Sequence, residues 1–97
     1  MVTERAELPI TPGHERDFER QFASGLGHLR TAAGCLNVSL ARGVESPSKY
    51  LLLIEWESLA AHKAFAATES FTAFVSLIGP FLAGKPATEH FEPVRSS

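Results

Sequence analysis

The chain has 97 residues, of which 44% are hydrophobic and 21% charged, and its formal net charge is −2. This length fits one hydrophobic core, so we expect a single domain over residues 1–97, and the weak negative charge argues against a nucleic-acid partner. No apolar run reaches the roughly 20 residues that span a bilayer and the first residues lack a signal-peptide pattern, so we expect a cytoplasmic protein without a membrane partner.

The first predicted strand runs from Val2 to Ile10, because apolar side chains fall on even positions there and most polar ones on odd positions. Thr11, Pro12 and Gly13 end it, and Thr11 followed by Pro12 is typical of a helix N-cap and first helical residue. We therefore predict a helix that ends at Gly34. Its apolar stripe recurs every three to four residues and comprises Phe18, Phe22, Leu26, Leu29 and Ala33.

The second predicted strand follows Gly34, with Leu36, Val38 and Leu40 on one apolar face. Asn37 and Ser39 belong to the opposite face, with Cys35, the only cysteine. A single cysteine can form no internal disulfide. The turn-forming residues 43–48 then predict a hairpin into the next strand.

The third predicted strand, Lys49 to Glu57, is apolar on both faces, as is typical of a strand covered on each side. We place one face toward the helices, and its residues are Tyr50, Leu52, Ile54 and Trp56. Leu51 and Leu53 lie on the other face. Because monomers rarely leave such a face in water, these two leucines predict pairing of two sheets in a homodimer.

The remaining elements complete a βαββαβ order. Ser58 is a plausible N-cap for a helix from Leu59 to Thr68. A second helical segment carries one apolar stripe, formed by Phe71, Phe74, Val75 and Ile78. Gly79-Pro80 ends that segment, and residues 88–94 can close the sheet. The predicted fold is α+β and ferredoxin-like, with a four-stranded antiparallel sheet, helices on one face and dimerisation through the other.

Four segments carry a resemblance to a known family. They are Thr11-Pro12-Gly13, Ala33-Gly34-Cys35, the run from Leu53 through Trp56 to His62, and His90-Phe91-Glu92-Pro93-Val94. The chain resembles the antibiotic biosynthesis monooxygenase domain family of the dimeric α/β-barrel superfamily. The resemblance implies a homodimer that acts on a small aromatic molecule.

The activity that the resemblance implies is cofactor-independent monooxygenation of an aromatic, phenolic or quinol-like substrate, without flavin, haem or metal. His62 shares the predicted apolar helix stripe with Leu59 and Phe65, and an imidazole there could accept a phenolic proton near neutral pH. We assign His62 as the catalytic base and Trp56 as a hydrogen-bond donor. The predicted substrate-binding residues are Tyr50, Leu52, Phe65, Phe71 and Phe74. A core tryptophan and a structural histidine are the alternatives.

The match to the family's oxygenases is partial, because they use an asparagine and a tryptophan on the central strand with a tyrosine and an arginine. Trp56 matches, but Leu52 stands at the asparagine position and His62 at that of the phenol. The alternative is a dimeric, non-catalytic small-ligand-binding protein. Haem-degrading relatives need an asparagine and a histidine where this chain has Ala6 and Val75, so we disfavour haem. The four histidines show no metal-ligand spacing, and we predict no metal.

Overall fold

The computed structural model describes residues 1–96 and contains four strands, three α-helices and one 3₁₀ turn. In chain order they are β1 (Val2–Pro9), α1 (Glu15–Arg30), β2 (Cys35–Arg42), β3 (Lys49–Trp56), α2 (Leu59–Ala66), α3 (Glu69–Ile78), the 3₁₀ turn (Gly79–Phe81) and β4 (Ala87–Phe91). The strands form one antiparallel sheet in the order β2-β3-β1-β4. The predicted ferredoxin-like α+β fold is confirmed.

The helix-facing side of the sheet carries the core. Burial alternates strictly along β1 and β3, so that the even-numbered residues of both strands point toward the helices. The register pairs Val2 with Trp56 and Ala6 with Leu52, which aligns the two buried rows. The buried apolar residues of this layer are Val2, Ala6, Leu8, Ile10, Tyr50, Leu52, Ile54 and Trp56 from the sheet, and Phe18, Phe22, Leu29, Phe65, Phe74 and Ile78 from the helices.

The predicted faces of β2 are wrong at its first two residues. Cys35 pairs with Trp56 and Asn37 with Glu55, so Leu36 is an extra residue in a β-bulge. The bulge turns Cys35 toward the helices together with Val38, and it leaves Leu36 52% exposed. A bulge shifts the two-residue alternation by one position, which is why the simple pattern failed here.

The ends of α1 also differ from the prediction. The helix begins at Glu15, preceded by His14, so Thr11 is not its N-cap. Instead Thr11 O accepts a hydrogen bond from His14 N at 3.0 Å, and Gly13 turns the chain with a φ of +93°. The helix ends at Arg30, so Ala33 lies beyond its apolar stripe.

The second helical region consists of two helices, as the sequence predicted. Ser58 caps α2 by accepting a hydrogen bond from Ala61 N at 3.1 Å, and Thr68 caps α3 in the same way through Phe71 N at 3.2 Å. Val75 is 40% exposed and lies off the buried stripe of α3.

Within residues 1–96 no single helix is long and apolar enough to cross a membrane. The segments Leu59–Ala66 and Glu69–Phe81, which meet at an angle of 75°, reach the necessary length and apolar composition only when they are taken together.

Candidate functional site

Four side chains from different elements meet at one end of the sheet. Glu4 lies near the start of β1, Trp56 is the last residue of β3, His62 belongs to α2 and His90 to β4. The strand register explains the meeting, because Glu4 is paired with Ile54 on one side and with His90 on the other. All three strands thus deliver a polar group to the same end of the helix-facing side.

Glu4 is the buried polar residue at the centre of this cluster, only 7% exposed. The indole N–H of Trp56 donates a hydrogen bond to Glu4 Oε1 at 3.0 Å, and His62 Nε2 lies 3.3 Å from the same oxygen. Two donors on one carboxylate oxygen compensate for the loss of water that burial imposes. Glu4 was not predicted as a site residue, although its even position within the alternating β1 pattern was a signal that it faces the helices.

The rings of His62 and Trp56 are stacked. Their centroids lie 5.2 Å apart and their planes are within 11° of parallel. Trp56 is fully buried, and the ring of Phe65 is tilted by 37° to the indole with a centroid distance of 5.5 Å. The imidazole therefore has one face on an aromatic surface and its edge on a carboxylate, and its side chain is 14% exposed.

The second nitrogen of His62 continues the chain of contacts, because His62 Nδ1 lies 2.6 Å from His90 Nε2. Desolvation lowers the pKa of His62, the Glu4 carboxylate acts to raise it, and His90 acts to lower it further. The net direction is downward, so His62 is neutral at pH 7. A neutral imidazole in this position can accept a proton, and the Glu4 carboxylate offsets part of the cost that desolvation and His90 impose on the charged ring.

The residues predicted to bind substrate lie in the packed interior. Tyr50, Leu52, Phe65 and Phe74 are each no more than 6% exposed, and Phe71 is half-buried with its edge against Phe65. These side chains occupy the space between sheet and helices. Of these predicted residues, Phe65 contacts Trp56, and Phe71 contacts Phe65.

Tyr50 is remote from the cluster around Trp56. It lies six residues away along β3, about 20 Å at the usual rise per strand residue. Its hydroxyl donates a hydrogen bond to Glu19, and burial is the main cause that raises the pKa of Tyr50 to about 12. Tyr50 is therefore a neutral hydrogen-bond donor at physiological pH.

An open pocket of about 450 Å³ adjoins the cluster on the side of His90. Its lining residues are Met1, Val2, Glu57, Ser58, Leu59, His90, Phe91 and Glu92. Three of its apolar side chains are well exposed, namely Met1 (58%), Leu59 (40%) and Phe91 (46%). Within residues 1–96 no group of three or more His, Cys, Asp or Glu side chains is arranged to hold a metal ion.

The fold and this cluster define a small α+β protein with a histidine site at the end of its sheet. The sequence profile of the antibiotic biosynthesis monooxygenase family matches residues 1–77, and the chain belongs to that family, as its sequence predicted. The Bacillus subtilis (strain 168) protein YczJ, which is uncharacterized, is 35% identical over 95 residues, covering 97% of this chain and all of YczJ.

Solved structures show the same fold. A Bordetella bronchiseptica protein named for the antibiotic biosynthesis monooxygenases is 32% identical, with 97% of each chain covered and a TM-score of 0.93. SnoaB from Streptomyces nogalater, a cofactor-independent oxygenase whose structure was solved for a mutant form, is 17% identical, with 98% of this chain and 94% of SnoaB covered and a TM-score of 0.84. At that identity the likeness to SnoaB is one of fold.

Proposed function

We propose that the protein is a cofactor-independent monooxygenase that acts on an aromatic, phenolic or quinol-like small molecule, with His62 as its base. The observation that supports this most directly is the position of His62, which is stacked on Trp56 with Nε2 3.3 Å from the Glu4 carboxylate. Membership of the monooxygenase family supports the reaction class. The shared fold of SnoaB, described as a cofactor-independent oxygenase, is consistent with it.

The chemistry needs a base and a site of low polarity. In the proposed reaction the substrate O–H bond breaks, His62 receives the proton, and the aromatic anion passes an electron to O₂. Recombination forms a carbon–oxygen bond at a ring carbon that carries a hydrogen, which gives a hydroperoxide. Loss of that C–H proton then breaks the O–O bond, leaves one oxygen in the product as a carbonyl and expels the other as hydroxide, which takes the proton held by His62 and leaves as water. The two hydrogens of this water come from the substrate O–H and C–H bonds, so no further reductant is needed.

The electrostatics around His62 suit this proton transfer. Because its pKa is lowered, the ring is neutral near pH 7, and the nitrogen that can accept a proton is Nδ1, which faces His90 Nε2. The adjacent Glu4 carboxylate then faces an imidazolium, which is a favourable pair in a partly desolvated site. We therefore assign to Glu4 the role of orienting His62 and stabilising its charged form.

Trp56 contributes in two ways to the proposed site. Its ring forms the flat surface under His62, and its N–H donates to Glu4. A substrate oxygen that used the indole N–H would have to displace the Glu4 carboxylate. The predicted substrate-binding residues could contact a substrate in the interior only after the packed rings moved apart. They are Tyr50, Leu52, Phe65, Phe71 and Phe74, of which the half-buried Phe71 is the most exposed.

A second candidate function is a dimeric small-ligand-binding protein without catalysis. The missing asparagine favours it, since the apolar Leu52, at 4% exposure, stands where the resemblance to the family's oxygenases implies an asparagine. Haem degradation is less favoured, because Ala6 is a buried β1 residue and Val75 an exposed residue of α3, and neither side chain can ligate iron.

We also propose that the protein is a homodimer through the side of the sheet opposite the helices. Leu51 and Leu53 lie on that side, partly exposed, and their cross-strand neighbours are Glu7 and Arg5 on β1 and Ala41 and Ser39 on β2. Covering two leucines in the centre of a sheet removes apolar area from water at about 25 cal/mol per Å².

Oxygen uptake separates the two candidate functions. Metal-chelated, flavin-free protein is incubated with a panel of hydroquinones and polycyclic phenols, and the uptake without protein is subtracted. Uptake that His62→Asn abolishes and His14→Asn leaves unchanged supports the monooxygenase, because His14 is an exposed histidine near Phe81, outside the cluster. Saturable binding of the panel with no uptake supports the binding protein instead.

A further inference from the structure

His90 is the exposed end of the cluster and the only member of it that lines the open pocket. Resting on the monooxygenase function proposed above, we propose that His90 is the catalytic residue that receives the substrate's proton. In this proposal the substrate is a neutral polycyclic phenol that binds in the 450 Å³ pocket beside β4, and His62 takes the proton from His90.

The hydrogen-bonding pattern assigns a direction to this chain of groups. An ionised carboxylate only accepts hydrogen bonds, so the nitrogen that His62 presents to Glu4, Nε2, carries a hydrogen. In the neutral imidazole the other nitrogen, Nδ1, is then an acceptor. Since His62 Nδ1 lies 2.6 Å from His90 Nε2, that nitrogen of His90 is the donor. His90 Nδ1 therefore keeps a lone pair. Of the ring nitrogens of His62 and His90, it is the one that can accept a hydrogen bond or a proton from a ligand.

The proton transfer balances along this path. The phenol O–H bond breaks and His90 Nδ1 gains the proton, while His90 Nε2 releases its own proton to His62 Nδ1. His90 is neutral again at the end, and His62 is an imidazolium whose Nε2–H still faces Glu4. The positive charge thus ends next to the buried carboxylate and away from the phenolate, so His62 accepts the substrate's proton through His90, and Glu4 orients His62.

The pocket's lining selects the class of ligand. Met1, Leu59 and Phe91 offer apolar area to a ring system, and about 450 Å³ is within the range of small-molecule sites. Glu57 and Glu92 also line the pocket, and their carboxylates repel anionic ligands. A two- or three-ring phenol that enters uncharged and is deprotonated only at His90 meets both conditions.

The location of the pocket also agrees with the packing of the interior. Trp56 is fully buried and Phe65 and Phe74 are nearly so, so a ligand between sheet and helices would have to displace aromatic side chains. A ligand beside His90 reaches the Glu4–His62 pair through the 2.6 Å contact without any such displacement.

The test uses this 97-residue chain, with 1-naphthol as the probe and naphthalene as the matched probe that lacks the hydroxyl. Binding of each probe is followed by NMR of the histidine ring and methyl signals. We expect 1-naphthol to shift the signals of His90 and Leu59 saturably and naphthalene to bind roughly 2- to 10-fold more weakly, since it lacks one hydrogen bond. In His90→Asn the two probes should bind alike, and Leu59→Trp, which fills the pocket, should weaken both. His14→Asn is the matched control and should bind as the wild type does.

Absence of saturable shifts at His90, or an unchanged preference for 1-naphthol in His90→Asn, would overturn the inference. Binding needs no turnover, so this result is separate from that of oxygen uptake. If 1-naphthol binds at His90 but no phenol of the panel is oxidised, the monooxygenase function fails while the site stands. Oxygen uptake that persists in His90→Asn would show that His90 takes no part in the reaction, while the proposed monooxygenase function would still stand.

Discussion

One carboxylate oxygen of Glu4 lies 3.0 Å from the indole nitrogen of Trp56 and 3.3 Å from Nε2 of His62. Because the two rings are stacked, this oxygen fixes the edge of both at once. Glu4 therefore couples the orientation of the proposed base to that of the tryptophan beneath it. A change at any of these three residues should alter the environment of the other two.

Glu4→Gln should lower the pKa of His62. The substitution keeps an oxygen that accepts from Trp56 but removes the negative charge that favours the imidazolium. The pKa is measured by NMR titration of the histidine ring signals. Glu7→Gln is the matched control, because Glu7 belongs to the same strand but to the opposite side of the sheet, next to Arg5. An unchanged pKa of His62 in Glu4→Gln would contradict the role given to Glu4.

The stability of the protein should fall as the pH is lowered from about 7.5 to 5. His62 has a lowered pKa in the folded protein and an ordinary value of about 6.5 when unfolded, so the unfolded chain binds its proton more readily. Stabilisation from His62 is thus fully present above pH 6.5 and is lost as the pH falls toward the folded-state pKa. Urea unfolding at several pH values measures this loss, and His62→Asn should show a shallower dependence. Equal pH dependence in both proteins would show that His62 is not desolvated as described.

Gly34→Ala should destabilise the fold by about 1–3 kcal/mol. Gly34 has a φ of +83°, and an added Cβ would lie 2.7 Å from the Cβ of Ala61, the residue before His62 in α2. The substitution should therefore also displace α2 and perturb the His62 ring signals. Gly27→Ala is the control, since a Cβ there meets nothing within 4 Å and a helical alanine should raise the unfolding free energy by about 0.5–1 kcal/mol. Similar effects of both substitutions in chemical denaturation would contradict this account.

Leu53→Glu should weaken the proposed dimer at least about tenfold, because a carboxylate would be buried in the sheet-to-sheet contact. The monomer should still fold, since Arg5 is the cross-strand partner of Leu53 and can pair with the new charge. Sedimentation equilibrium at micromolar concentration measures the association. Val44→Glu, at an 89% exposed hairpin residue, is the control and should leave association unchanged. A wild-type protein that sediments as a monomer would refute the dimer itself.

The local patterns of the sequence were sufficient for most of the fold. Strict alternation identified β1 and the two faces of β3, and Ser58 was recognised as a cap because its chemistry acts within three residues. The β2 bulge was not predictable in this way, since it depends on the register with β3. An inserted residue changes no local propensity but reverses which of Cys35 and Leu36 faces the helices.

The site was predictable only in part, because its contacts are long-range. His62 and Trp56 were identified from the apolar stripe of one helix and the face of one strand. The even position of Glu4 in β1 indicates the helix-facing side but not its partners, because Trp56 is 52 positions away along the chain. His90 joins His62 only because β4 pairs with β1, so no spacing of histidines in the sequence reveals the pair.

The central claim is that this chain inserts one atom of O₂ into a phenolic substrate with a base anchored on Glu4. The most direct test is product mass spectrometry after turnover of the phenol panel under ¹⁸O₂ with metal-chelated, flavin-free protein. The account predicts one ¹⁸O atom in the product of the wild type, and no labelling above the protein-free background for His62→Asn. A product without label, or equal labelling by His62→Asn, would contradict it.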